Sequence, residues 1–402
     1  MEFSPSVSAP DNLSSQRATC PTCGHTLPVN PGFVTWCDAC GWNVAPEGPP
    51  PAANALESVY RSLSRRWSAG LAREMLSIGM PKRSLTAASL GALALALPVH
   101  LLTVFAAAVG VRLMLTSWPY FLMMGVGVAC LALAWSLVPR PRPAPTGEWV
   151  LSRDAAPALY GLVDEVSDAL GARRLASVVV EPQVNAWVAL HGLLRREVSL
   201  HLGLPLVTAL EADELVGLVA HEIGHTVNGD PASGFLLGSA IDSLLLWRYV
   251  VRPHWDAEGL MWIAVIPVNL VAIVVGWLVE GYTRLLVQLA WRDSQRAEYL
   301  ADYLAAGVAG GDAMQRSLQK SLVAPTVRYV VQRLAVGSNN TERGLFDALR
   351  SQLALVPARE LERRRRAAEQ DDAALDTTHP PTAYRMQFLA AHPDIRTPVA
   401  CP

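Results

Sequence analysis

Hydrophobic and polar positions divide this chain into two regimes. Leu85 to Val111 and Leu113 to Val138 carry no charged residue and are separated only by Arg112. Each exceeds the roughly 20 apolar residues a helix needs to cross a bilayer. Trp118, Pro119 and Tyr120 fall where a short interfacial turn belongs, so the pattern predicts a transmembrane hairpin over 85–138. A second hydrophobic pair occupies about 232–280. Gly259 to Val279 is uncharged, whereas 232–252 holds Asp242 and Arg248 and predicts a weaker span, tilted or half sunk against the soluble part. Trp247, Tyr249, Trp255, Trp262, Trp277 and Tyr282 supply interfacial aromatic belts for this pair. Inside the first span, Pro98 and His100 predict a kink and a polar contact between helices.

Outside these pairs the periodicity is globular. SRDAAPALYGLVDEVSDALGA (152–172) repeats its apolar positions at helical spacing and stops at Gly171. SVVVEP, NAWVAL and EVSLHLG, between 177 and 203, read as short strands. ADELVGLVAHEIGHTVN opens with an acidic first turn and predicts a helix ending near Asn228. A long helix follows at about 285–309, then an Arg/Glu-rich one around ELERRRRAAEQ. In the latter, Arg363 to Arg366 are flanked by Glu360, Glu362, Glu369, Asp371 and Asp372, which predicts a solvated helix face. Pro-rich stretches at 47–54 and 139–147 read as linkers.

Composition agrees with lipid contact. The 402 residues are 51% hydrophobic and 17% charged, with 33 basic against 35 acidic side chains and a net charge of −2. That balance excludes a chain that is basic throughout and built for nucleic acid, and equally a disordered polyelectrolyte. Residues 1–15 lack a basic region leading into an apolar one, so no cleavable secretory signal is expected and the N-terminus is expected in the cytoplasm. Arg61, Arg65, Arg66, Arg73, Lys82 and Arg83 before the first hairpin, with Arg140 and Arg142 after it, place both hairpin ends on the cytoplasmic side. Two further spans return the chain to that side.

Two constellations carry chemistry. Cys20-x2-Cys23 and Cys37-x2-Cys40 form matching knuckles, each followed by a glycine where the chain must turn around the thiolates, while Cys130 and Cys401 stand alone. Four thiolates in this pattern predict a closed, structural zinc site in a ribbon over 18–44. That module is a self-folding support or a reader of a protein partner. The second constellation is His221-Glu222-Ile223-Gly224-His225. One turn apart on a helix, the two imidazoles can share a metal, and Glu222 projects to the side where it can take a proton from a metal-bound water. Zinc is the expected ion, because two imidazoles and one carboxylate leave a fourth position for that water. Glu298 in Arg296-Ala297-Glu298-Tyr299-Leu300-Ala301-Asp302 is the candidate third ligand, and Asp302, one turn on, can orient a ligand histidine.

With HExxH followed, after hydrophobic segments, by ExxxD, the sequence resembles the HtpX-like family of membrane-bound zinc metalloproteases. Asn185-Ala186-Trp187 is similar to that family's edge-strand asparagine motif, and His379-Pro380-Pro381-Thr382 with Arg385 to its C-terminal element. The resemblance spans about residues 80–390. It implies His221, His225 and Glu298 as ligands of a catalytic zinc, Glu222 as general base, and Asn185 as a holder of substrate backbone. It further implies that His379 and Arg385 stabilise the developing oxyanion or brace the site.

The expected fold is mainly α: transmembrane helices, a cytoplasmic zincin-type α+β metalloprotease domain with a small edge sheet, and the N-terminal zinc ribbon. The domains are 18–44, a linker and basic juxtamembrane helix over 45–84, the hairpin 85–138, and a protease domain over 148–402 interrupted at about 232–280. The function expected is that of a multi-pass inner-membrane zinc endopeptidase acting on protein or peptide substrates, membrane proteins included, in quality control. The alternatives are a CAAX-type prenyl protease and a non-catalytic, membrane-anchored zinc adaptor.

Overall fold

β1 (Gln16–Thr19) and β2 (Thr26–Val29) pair antiparallel and bracket the first cysteine knuckle in the computed structural model. It describes residues 16–30, 32–46, 48, 55–78, 86–138, 143–192, 197–228, 235–255, 261–324, 327, 347, 349–351, 353–370 and 379–393. The N-terminal stretch 1–15, most of the 47–54 linker, Lys82, Arg83, Arg140, Arg142 and Cys401 lie outside the described residues.

After α1 (Ala55–Ser77) come α2 (Ala87–Thr116) and α3 (Phe121–Leu137), the expected hairpin. Thr86 starts α2 by accepting from Ser89 N, while its own hydroxyl donates to Asp293 at 3.0 Å. The two helices approach closely where Gly110 meets Gly127: a Cβ on Gly110 would lie 2.7 Å from Leu131 and 2.9 Å from the Gly127 carbonyl. Helix α2 continues through Pro98, and His100 Nε2 lies 3.0 Å from the Leu236 carbonyl, the polar helix contact expected of it.

The part after the hairpin begins with β3 (Val150–Leu151), α4 (Pro157–Leu170), β4 (Ser177–Glu181), β5 (Ala186–His191) and β6 (Glu197–Gly203). Strand order is β3-β4-β6-β5, with β4 and β6 parallel and the other neighbours antiparallel, so β5 is an edge strand among the described residues. A short α5 (Leu204–Ala209) leads to α6 (Ala212–Asn228). Leu200 and Leu202 of the sheet, Leu162 and Val166 of α4, and Val219 and Ile223 of α6 meet in one core. Their period-two and helical spacings point the apolar sets at each other.

Helix α7 (Phe235–Val250) has 16 residues and α3 has 17, both below the ~20 needed for a full span, whereas α2 and α8 (Met261–Ala309) are long and apolar enough to cross a membrane. The separate span and long soluble helix expected after residue 259 are one element, because the 49-residue α8 runs unbroken through both. No proline lies between Pro267 and its end, and Tyr282 at the changeover donates its hydroxyl to the Leu95 carbonyl of α2 at 2.6 Å. Leu237, Ala240 and Leu244 of α7 pack between α2 and α8.

Towards the C-terminus come α9 (Gly311–Ser321), α10 (Ala358–Gln370) and α11 (Thr382–Ala391). The arginine-rich α10 is not the solvated face its sequence predicts. Arg363 is buried, and three of its arginines reach the zinc ribbon, a partner more than 300 residues away in sequence.

Candidate active site

Helix α6 presents His221, Glu222 and His225 beside α8. Asp213 and Glu214 occupy its first turn, next to the positive end of the helix dipole, and the Glu214 carboxylate reaches back to accept from Glu211 N at 2.8 Å. Val216, Val219, Ala220 and Ile223 are fully buried and fix the helix's rotation. Gly224 sets its distance from α8. A Cβ there would stand 3.3 Å from the Ala301 Cα, so a glycine opposite an alanine lets the two backbones approach until their side chains share one point.

At that point His221 Nε2 and His225 Nε2 lie 3.2 Å apart with their rings nearly perpendicular. Glu298 Oε2 is 3.5 Å from the first nitrogen and Oε1 is 3.4 Å from the second. One ligand atom from each of His221, His225 and Glu298 falls within 4.8 Å of the others. Glu298 Oε2 is buried and makes no hydrogen bond of acceptable geometry, although His379 Nδ1 lies 2.7 Å away. A divalent cation at the centre would satisfy all of these atoms, so this donor set fits zinc.

The electrostatics agree. Burial and Arg385 disfavour a charged His221, yet hydrogen bonds to Asp302 and Glu298 outweigh them and raise its pKa to about 10. These carboxylates thus hold positive charge at the point where a metal would sit. Burial lowers His225 to about 4 and keeps that ring neutral, whereas His221 has to give up its proton when a metal binds. Burial opposes ionisation of Glu298 too, but the close approach of His221 and His379 to its carboxylate keeps it well below the ordinary carboxylate range. Glu222 is also buried, and burial is the main reason its pKa rises to about 7.

Behind the ligands, His221 Nδ1 lies 3.0 Å from Asp302 Oδ1. Arg385 of α11 grips Asp302 with two donors, Nε to Oδ2 at 2.8 Å and a terminal nitrogen to Oδ1 at 2.6 Å. Two of its three guanidinium nitrogens are thereby engaged with Asp302, while Nη1 lies 3.8 Å from Glu298 Oε2. His379 instead sits at the mouth, 55% exposed. Asn185 is exposed at the start of β5, and its carbonyl accepts from Gly203 N at 2.8 Å. The four cysteines converge as a second group, with Cys20 Sγ to Cys40 Sγ and Cys23 Sγ to Cys37 Sγ both 3.6 Å, spacings a tetrahedral zinc would span.

A family model described as Peptidase family M48 matches residues 156–392, from α4 to the end of α11. The chain belongs to peptidase family M48. The HtpX-like resemblance falls within this family, and the matched stretch contains every residue of the His221–Glu298–Arg385 cluster. No curated protein and no solved structure matches the chain. The M48 domain also holds a polar network that sequence reading missed. Glu181 contacts His201 Nδ1 at 2.6 Å, His201 Nε2 meets Ser199 at 3.0 Å, and Ser199 meets His191 at 2.6 Å. Trp187 stacks on His201 at 3.8 Å, and the set ties edge strand β5 to β6 and β4. The sequence marked SVVVEP, NAWVAL and EVSLHLG as strands, but the pairing register that joins these side chains is tertiary.

Proposed function

We propose that this M48 protein is an integral membrane zinc endopeptidase whose metal is held by His221, His225 and Glu298. The observation that carries the reading is the convergence of those three ligand atoms within 4.8 Å, with buried Glu222 beside them on α6. Zinc at this position supplies a Lewis acid for the scissile carbonyl and lowers the pKa of a coordinated water towards ~7. The protein's own groups do the rest. Glu222, with a pKa raised to about 7, accepts a proton on its carboxylate and returns it to the departing amine nitrogen near neutral pH. Asp302 fixes the His221 ring, and Arg385 acts on the site through Asp302 as a brace. His379, exposed at the mouth, is the group positioned to donate to the carbonyl oxygen.

Edge strand β5, directly after Asn185, has no strand partner on its outer side among the described residues and can offer its backbone to an extended peptide, the usual way a sheet edge recognises a chain without reading its sequence. Membrane residence is supported by α2 and α8, and by α8 carrying an apolar stretch and the Glu298–Asp302 turn on one helix. In this reading α2 with α3, and α7 with α8, each enter the bilayer and return, so the ribbon, the site and the C-terminus share the cytoplasmic side of the inner membrane, and the substrates are membrane or misfolded proteins.

The test compares purified full-length protein with its Glu222→Gln variant on an unfolded protein substrate in the presence of zinc. Cleavage by the first, falling by about 10²-fold or more in the second, is expected from loss of a general base. Equal cleavage by both refutes the assignment, and no cleavage by either favours a metal-bound adaptor.

A further inference from the structure

The N-terminal ribbon is not merely tethered to the M48 domain. Arg359 of α10 donates to the Trp36 carbonyl at 2.7 Å and pairs with Asp38 at 3.3 Å. Arg366 donates to the Asp38 carbonyl at 2.7 Å, and Arg363 to the Val44 carbonyl at 2.6 Å. The guanidinium groups of Arg359 and Arg366 lie 4.7 and 5.1 Å from the centre of the Trp36 ring, which is 1% exposed. Arg363 is itself buried, its charge balanced by two hydrogen bonds to Glu360 at 2.7 Å, and Arg364 carries the same carboxylate's contact on to the Leu322 carbonyl at 3.1 Å.

Three physical points give this interface a direction. First, the acceptors are backbone carbonyls on and around the Cys37–Cys40 knuckle, and their positions depend on the turn that the thiolates close. Gly41 N to the Cys37 carbonyl at 3.0 Å and Cys37 N to the Trp42 carbonyl at 2.9 Å belong to that turn. A ribbon of this size has too small a core to hold those carbonyls in place without its metal. Second, four thiolates around one divalent cation leave a local charge of about −2, complementary to the arginine face that meets them. Third, α10 packs against α11, the helix that supplies Arg385 to Asp302.

We propose that the arginine face of α10 is a docking surface for the metal-loaded ribbon of the same chain, and that docking holds α10 and α11 in place and so keeps Arg385 on Asp302. The structural metal is then a control point for the catalytic centre. The proposal rests on the assignment of zinc to both ligand sets, and its readouts are metal content and amide exchange, which do not require peptidase activity.

Two variants of the full-length protein in detergent test it. Cys23→Ser/Cys40→Ser removes two ligands of the ribbon, whereas Arg359→Gln/Arg366→Gln leaves all four cysteines and breaks the dock from the other side. Bound zinc is expected to fall from about two to about one per chain in the first variant and to stay at about two in the second. In both, amides of 358–370 and 382–391 are expected to exchange at least about tenfold faster, while the β4 and β6 amides keep wild-type protection and show that the domain is folded. The remaining zinc is expected to bind about 10-fold more weakly, as when a partner behind a ligand is loosened. Unchanged exchange over 358–370 in either variant overturns the docking. Faster exchange there with unaltered affinity for the remaining zinc overturns the link to Arg385.

Discussion

Asp302 lies between His221, a proposed zinc ligand, and the buried Arg385 guanidinium, and its replacement by asparagine separates two effects that single substitutions usually confound. In the wild type the carboxylate is fully buried, accepts two bonds from Arg385 at 2.6 and 2.8 Å, and stands 3.0 Å from His221 Nδ1. Burial opposes its ionisation, but Arg385 and His221 outweigh it and lower its pKa. Asp302→Asn keeps the shape and an acceptor for the His221 N–H, yet leaves the buried Arg385 guanidinium with only the more distant Glu298 carboxylate, 3.8 Å away, as counter-charge. Removing one member of a buried ion pair costs about 3–5 kcal/mol, and losing a charged partner behind a metal ligand costs about 10–100-fold in metal affinity. Arg385→Met strands the carboxylate instead and is expected to lose similar stability. The double variant removes both charges. Its stability should recover to within about 1–2 kcal/mol of wild type, while zinc affinity stays at least ~10-fold reduced, because neutral asparagine is a weaker acceptor than carboxylate. Denaturant unfolding in detergent measures the first quantity, and chelator competition the second. Additive losses in the double variant would show that Arg385 and Asp302 are not energetically paired. Wild-type zinc affinity in Asp302→Asn would show that the carboxylate does not orient His221.

Three further outcomes follow from close contacts. Gly110→Ala places a Cβ 2.7 Å from Leu131 and 2.9 Å from the Gly127 carbonyl and is expected to destabilise the protein by about 1–3 kcal/mol. Gly125→Ala, with nothing within 4 Å, should cost little, and equal unfolding midpoints for the pair refute the packing argument. Gly224→Val adds branches where even a Cβ sits 3.3 Å from the Ala301 Cα. It should pry α6 from α8 and weaken zinc binding at least ~10-fold in chelator competition, whereas Gly161→Ala on open α4 should leave affinity unaltered. Asp293→Ala deprives Thr86 of its acceptor at the start of α2 and is expected to cost about 1–3 kcal/mol in thermal unfolding, with Asp293→Asn retaining most of it.

The chemistry of this protein was legible along the chain because its key parts are local. One helical turn places His221 and His225 on the same side of α6 and puts Glu222 between them, and two C-x2-C knuckles close on themselves. A stretch without charge declares α2 and the first half of α8 by length alone. Glu298 and Asp302 were legible as one turn of a later helix, four residues apart, although their distance from His221 was not.

Tertiary structure decided what depends on residues meeting across long separations. Gly224 against Ala301 brings α6 close enough to α8 for three ligand atoms to converge, a property of two backbones rather than of either sequence segment. The bidentate grip of Arg385 on Asp302 joins two residues 83 positions apart, a contact its motif did not disclose. The clearest reversal is α10. By sequence, a run of arginines among glutamates is indistinguishable from a solvated helix face, because charge pattern reports which residues tolerate water and not which surface later covers them. Here that surface is the ribbon, reached across more than 300 residues, and it buries Arg363 and Trp36 together.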